Sequence, residues 1–130
     1  MEQFTTDRFT LTIGVTPGYF HDNEAAKIDF VGAVAKEWQV LMEKDGNEKG
    51  IYVPAVASPS YAVYSRDWGC PEGGERVVSF SGTRNAKFTP DGVEWKAAVL
   101  RIVERLQQKL EQSTAQVDFE RVEMAYSTKE

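Results

Sequence analysis

The sequence predicts an α+β fold whose elements run strand, helix, strand, strand, helix, strand. Three observations carry this. Two stretches repeat apolar residues at the three- and four-residue spacing of helices lying on a core: Ile28, Val31, Ala35, Trp38 and Met42 in one, Trp95, Val99, Ile102, Leu106 and Leu110 in the other. The stretches around them alternate apolar and polar residues, the pattern of half-buried strands. Pro54 and Pro59 fall in the second strand, and proline, having no amide to donate, is tolerated there only on an edge or at a break.

Arg8 to Val15 is the first strand, with Phe9, Leu11, Ile13 and Val15 on one face and Thr10, Thr12 and Gly14 on the other. Thr16-Pro17-Gly18 breaks it, and Asp22 and Asn23 are capping residues for a helix from Glu24 to about Lys44. Phe30, Val34 and Leu41 widen its apolar stripe, and Asp45-Gly46-Asn47 is expected to end it, with Gly46 in the left-handed position. Ile51 to Tyr64 and Glu75 to Gly82 read as a strand pair joined by a long tip, Ser65 to Glu75. In the later strand Val78 and Phe80 face one way, and Val77, Ser79 and Ser81 the other. After a polar loop, Thr83 to Phe88, the second helix starts either at Thr89 with Pro90 or at Asp91 with Glu94, and runs to about Gln112. Gln116 to Tyr126 is the last strand. Its alternation changes phase between Phe119 and Val122, which predicts a bulge near Glu120 and Arg121. Two right-handed crossovers then give the ferredoxin-like βαββαβ arrangement, an antiparallel four-stranded sheet with both helices on one face and a long hairpin tip. That topology puts the proline-bearing strand at an edge.

The 130 residues are read as a single domain, 1–130. A net charge of −5 gives no general field for nucleic acid or an anionic membrane, and the Thr and Ser of the exposed sheet face are not the stacking aromatics of RNA-recognition domains. Nucleic acid is therefore an unexpected partner. The stretch Met1 to Asp7 has no basic or apolar signal segment, and no apolar run approaches the ~20 residues of a membrane span, so a cytoplasmic protein is expected. A face of small and β-branched residues suits packing against a second copy, so the expected partner is the chain itself, as a homodimer.

The expected ligand-binding residues lie in two loops. Tyr61, Tyr64 and Trp68 offer flat surfaces for a ring, and Arg66 a fork for a carboxylate or phosphate. Arg84, Asn85 and Lys87 precede a helix start and form the second group. Cys70 lacks an evident base, since nothing in the sequence places the single histidine, His21, beside it. One Cys and one His also fall short of a zinc ligand set, so no metal, cofactor or catalytic residue is assigned. Arg101, Arg105 and Lys109 form a basic line on the second helix, read as a solvated face.

The first strand running into Thr16-Pro17-Gly18-Tyr19-Phe20 resembles the strand and Pro-Gly turn of ACT domains, ferredoxin-like regulatory modules that bind amino acids at subunit interfaces. The continuation through His21 and Asp22 departs from that pattern. Acylphosphatases, on the same topology, need an arginine in the first strand-to-helix loop, and Gly14 to Asn23 has none.

These observations favour a protein that holds or sequesters a small anionic or nucleotide-like molecule without turning it over. Two alternatives stand beside it: an enzyme using Asp67, Glu72 or Glu75 for acid–base chemistry beside Arg66, and a protein-interaction module.

Overall fold

The computed structural model describes residues 1–14 and 29–129. It contains β1 (Glu2–Gly14), α1 (Phe30–Lys49), β2 (Val56–Ala62), a 3-10 turn (Arg66–Trp68), β3 (Glu75–Thr83), α2 (Gly92–Lys109) and β4 (Gln116–Tyr126). The strands form one antiparallel sheet in the order β2-β3-β1-β4. This is the ferredoxin-like arrangement. Pro59 sits on the outermost strand, opposite Val78, where its missing amide costs no ladder bond.

The core lies between the sheet and the helices because the odd residues of β1 and the even residues of β3 share one face. Phe9, Leu11, Ile13, Val78 and Phe80 are buried there against Val34, Trp38, Trp95, Val99, Ile102 and Leu106. The Trp38 ring stacks on Phe9 with centroids 5.4 Å apart and on Phe80 at 5.0 Å. Its indole Nε1 donates to the Val53 carbonyl at 3.0 Å, so the ring is buried with its one polar atom satisfied.

Asp91 caps α2 by accepting from the amides of Val93 and Glu94, choosing between the two starts read from the sequence. Asp29 caps α1 by accepting from Gly32 N. The expected start at Glu24, its caps Asp22 and Asn23, and the Thr16-Pro17-Gly18 turn lie outside the described residues.

Three expectations are corrected. First, α1 does not stop at Gly46; it continues to Lys49 and ends on Gly50, whose φ of 86° is left-handed. Gly46 serves packing instead, because a Cβ there would occupy the space of the Tyr52 ring. Asp45 likewise continues the helix, being buried and held by Arg101 with bonds of 2.8 and 3.0 Å. Second, β1 starts at Glu2 rather than Arg8, because β4 pairs with it along its whole length, from Glu2↔Tyr126 to Thr12↔Gln116. Third, that register has no bulge. Val117 and Phe119 pair with Leu11 and Phe9 on the helix side, whereas Val122 and Met124 pair with Thr6 and Phe4 on the opposite side. The apolar residues change faces while the backbone keeps step.

Candidate active site

An open cavity of about 1070 Å³ lies at the end of the sheet where β1 stops and β3 begins. The register explains its walls. Gly14 pairs with Val77, Thr12 with Gln116, and Ala62 with Glu75, so these residues share the helix-free face. The segment after α2, Gln112 to Ala115, closes one side.

Tyr64 and Glu75 stand at the two ends of the hairpin tip, which brings them together across the mouth of the strand pair. The Tyr64 hydroxyl donates to Glu75 Oε2 at 3.1 Å. Tyr64 is held above the usual phenol value of 10.0, first by desolvation and then by the adjacent carboxylate, which opposes a second negative charge. At neutral pH it therefore remains a donor to Glu75.

Gln112 is fixed by its local chain. After α2, Glu111 takes a φ of 55° and turns the backbone back on itself. Gln112 N then donates to Gln107 O at 3.0 Å, and Gln107 Nε2 donates to Gln112 O at 3.1 Å. The Gln112 amide nitrogen Nε2 donates to Leu110 O at 3.1 Å, which leaves its oxygen turned to the cavity floor. That floor is Gly14: a Cβ built there would lie 2.6 Å from Gln112 Oε1 and 3.2 Å from Glu75 Oε1. Among the described residues lining the cavity, Glu75 is the one charged side chain.

The residues expected from the sequence are distributed over three places. Tyr64 lines the cavity. Tyr61 pairs with Arg76 on the helix side of β2, the face away from the cavity. Arg66 and Trp68 sit on the short 3-10 turn, where Ser65 Oγ accepts from Asp67 N and Trp68 is 78% exposed. Cys70, under that turn, is buried with its Sγ near the carbonyls of Ala62 and Pro71.

Arg84, Asn85 and Lys87 are at the opposite end of the sheet. Arg84 is buried, 3.3 Å from Asp7 Oδ2, and donates to the carbonyls of Thr89 and Pro90. Asn85 Oδ1 accepts from Lys87 N and so organises its own turn. Lys87 pairs with Glu2 at 3.2 Å. Asp7 and Gly14 are seven residue steps apart along β1, roughly 23 Å at ~3.3 Å per residue. The structure thus brings neither group of expected cations to the Tyr64–Glu75 cavity. Sequence pattern gave Gly14 and Gln112 no mark, the one being a small outward residue and the other the tail of a helix. In the sequence Glu75 stands out only as one of three carboxylates near Arg66 that could serve acid–base chemistry. Among the described residues, no group of three His, Cys, Asp or Glu side chains is placed to hold a metal ion.

Comparison with known proteins bears on this geometry. A family model described as SAM lyase matches residues 4–128. Among solved structures, a phage SAM lyase in complex with S-methyl-5'-thioadenosine aligns with a TM-score of 0.55 at 13% identity, covering 89% of this chain and 81% of that one. A de novo designed protein, Foldit4, aligns at a TM-score of 0.43 and 12% identity, covering 92% of this chain and 97% of its own. No curated protein sequence matches. At such identities the structural likeness bears on the fold; the family model bears on the kind of protein. Its description is that of enzymes acting on a small molecule, which corrects the expectation of a ligand sequestered without turnover and sets aside the ACT resemblance. Because the match runs from the first strand to the last and spans every residue lining the cavity, the chain belongs to the SAM lyase family.

Proposed function

We propose that this protein is a lyase that cleaves S-adenosylmethionine to S-methyl-5'-thioadenosine, and that the Tyr64–Glu75–Gln112 cavity is where it does so. The observation that carries the reading is a cavity with one carboxylate and no cation among its described walls, in a chain of this family. The substrate is a sulfonium cation, so a negative wall attracts it.

The chemistry asks little of a general acid. The bond from sulfur to the amino-acid chain breaks, its electron pair stays on sulfur, and the sulfonium becomes a neutral thioether. A lyase adds no water, so the amino-acid fragment must replace the lost bond itself. Its own carboxylate oxygen attacks the carbon that bore sulfur and closes a five-membered lactone. Atoms and charge balance without a protein nucleophile. The protein's part is to hold the substrate folded, with the carboxylate behind the breaking bond, and such positioning alone can supply several kcal/mol. Tyr64 and Gln112 suit that task, each being held by a partner rather than free to rotate.

Incubation of the purified chain with S-adenosylmethionine, followed by mass spectrometry in ¹⁸O-water, tests this. The expected products are the thioether and an unlabelled lactone. Label in the amino-acid fragment at the earliest times would mean hydrolysis, and absence of the thioether would overturn the assignment. The sequence also led to expecting a second copy, and we propose that it covers the helix-free face into which the cavity opens; sedimentation velocity decides this.

A further inference from the structure

We propose that the outer edge of β4 is an interface on which a second copy of this chain pairs antiparallel, with Val122 against Val122 on the two-fold axis, so that two sheets join into one. The contact is separate from the one proposed for the helix-free face and does not depend on the lyase reading.

The two edges of the sheet are built differently. On β2, Pro59 has no amide to offer a further strand, which blunts that edge. On the other side, β4 runs for 11 residues with neither proline nor glycine and keeps step with β1 without a bulge. Among the described residues nothing pairs with its outer side. A long, regular edge of that kind is a template for another strand. A two-fold pairing of β4 with itself uses the edge up on both copies, and the prolines of β2 then stop the sheet from growing at its far ends.

The charges of the strand select the register. Residues directly opposed in an antiparallel pair point to the same face, so Arg121 can oppose only odd-numbered residues of the other copy. Of the acidic residues on β4, Asp118, Glu120 and Glu123, only Glu123 shares its face. With Val122 on the axis, Arg121 of each copy faces Glu123 of the other, Glu120 faces Met124, and Phe119 faces Ala125. No like charges are opposed. Moving the axis by one residue sets Arg121 against Arg121 or Glu123 against Glu123, which is unfavourable. Both members of the pair are available. Glu123 is exposed, and Arg121 is 64% exposed, with Asp7 holding its Nη1 at 3.0 Å from the β1 side. A carboxylate arriving from the outer side would meet the remaining nitrogens of that fork.

Sedimentation velocity over a concentration series, with a register-specific cross-link, tests this. The wild-type chain should associate, and Glu123→Arg should weaken the association by at least about tenfold, because two attractive pairs become two repulsive ones. The loss should be larger at low salt than at high. Glu123 is exposed, so the variant is expected to keep its fold, which circular dichroism checks. It also lies on the helix side, so the helix-free face is left as it is; if that face is covered too, the variant should halve the assembly instead of dissolving it. For the register, a short thiol-reactive linker should join Val122→Cys to itself. It should join Glu120→Cys to Met124→Cys when the two are mixed, and neither efficiently alone; Cys70 is buried and does not compete. A wild-type chain that stays monomeric at every concentration would overturn the inference. So would an assembly that Glu123→Arg leaves intact, or one in which the mixed and separate cysteine variants cross-link equally, since either places the contact off the β4 edge.

Discussion

The two ends of one sheet treat charge in opposite ways. At the Asp7 end, a carboxylate is buried and surrounded: Arg84 reaches it at 3.3 Å, Arg121 at 3.0 Å, and Thr6 Oγ1 ties the Arg84 carbonyl at 2.8 Å. Burial alone would raise the Asp7 pKa, but hydrogen bonds from Arg121 and Arg84 outweigh it and hold the group below its usual value of 3.8. At the Gly14 end, Glu75 has a neutral phenol on one oxygen and turns the other to a hollow beside an amide oxygen. The first end spends its charges inside the fold. The second leaves one without a cation among the described residues that line the cavity. Arg84, so suggestive in sequence, is here a tie between β1 and the start of α2, with Asp7 also held by Arg121 of β4.

The comparison can be broken at either end. The largest effect is expected from Asp7→Asn, which strands Arg84 in a buried place and should cost about 3 kcal/mol in urea unfolding, as broken buried pairs do. Turnover measured on the folded fraction should be retained. The same end sets an acid limit. Because the folded-state pKa of Asp7 is lowered, its contribution to stability is present above the unfolded value and disappears as pH falls through the lower folded one. Wild-type stability should therefore drop below about pH 4 more steeply than that of Asp7→Asn; parallel curves would show that the pair contributes nothing there.

Glu75→Gln should do the reverse of Asp7→Asn. Losing the charge should lower kcat/KM by at least about tenfold, mostly through KM because positive charge fades from sulfur as the bond breaks, with unfolding free energy within ~0.5 kcal/mol. A stability loss equal to that of Asp7→Asn would erase the contrast between the ends. Tyr64→Phe, which frees Glu75 Oε2, should cost a smaller factor, about threefold to tenfold in kcat/KM. In the wild type the alkaline decline from this group should fall above pH 10.0, since the phenol is held above that value. The smallest effect is expected at the tip: Arg66→Ala and Trp68→Ala should each change kcat/KM by less than about twofold, as exposed residues away from the lining do. A larger loss would extend the site along the hairpin.

Much of the architecture was legible in advance because it follows from short-range rules. The strand alternation through Phe9, Leu11 and Ile13 and the Trp95-to-Leu110 stripe report burial through spacing alone, and Pro59 marks the edge strand, although Pro54 lies before β2 begins at Val56. Where spacing misled, a long-range partner was responsible. Tyr52 turned Gly46 from a stop into a packing position, and unbroken pairing with Glu2 through Thr12 turned the apparent bulge in β4 into a change of faces.

The site was less legible for a related reason. Tyr64 and Glu75 meet because a strand pair closes below the tip, and Gln112 joins them because Glu111 turns the chain after α2. Their chemistry is ordinary; their meeting is not local. By itself, then, the sequence determined the order of elements, the two core-facing helices and the placing of the proline-bearing strand at an edge, since each depends on neighbours within a turn or a strand. Tertiary structure alone decided which charges are neutralised and which are not. That depends on which distant residues the sheet register sets side by side, Arg84 against Asp7 at one end and Gln112 and Glu75 over a bare Gly14 at the other.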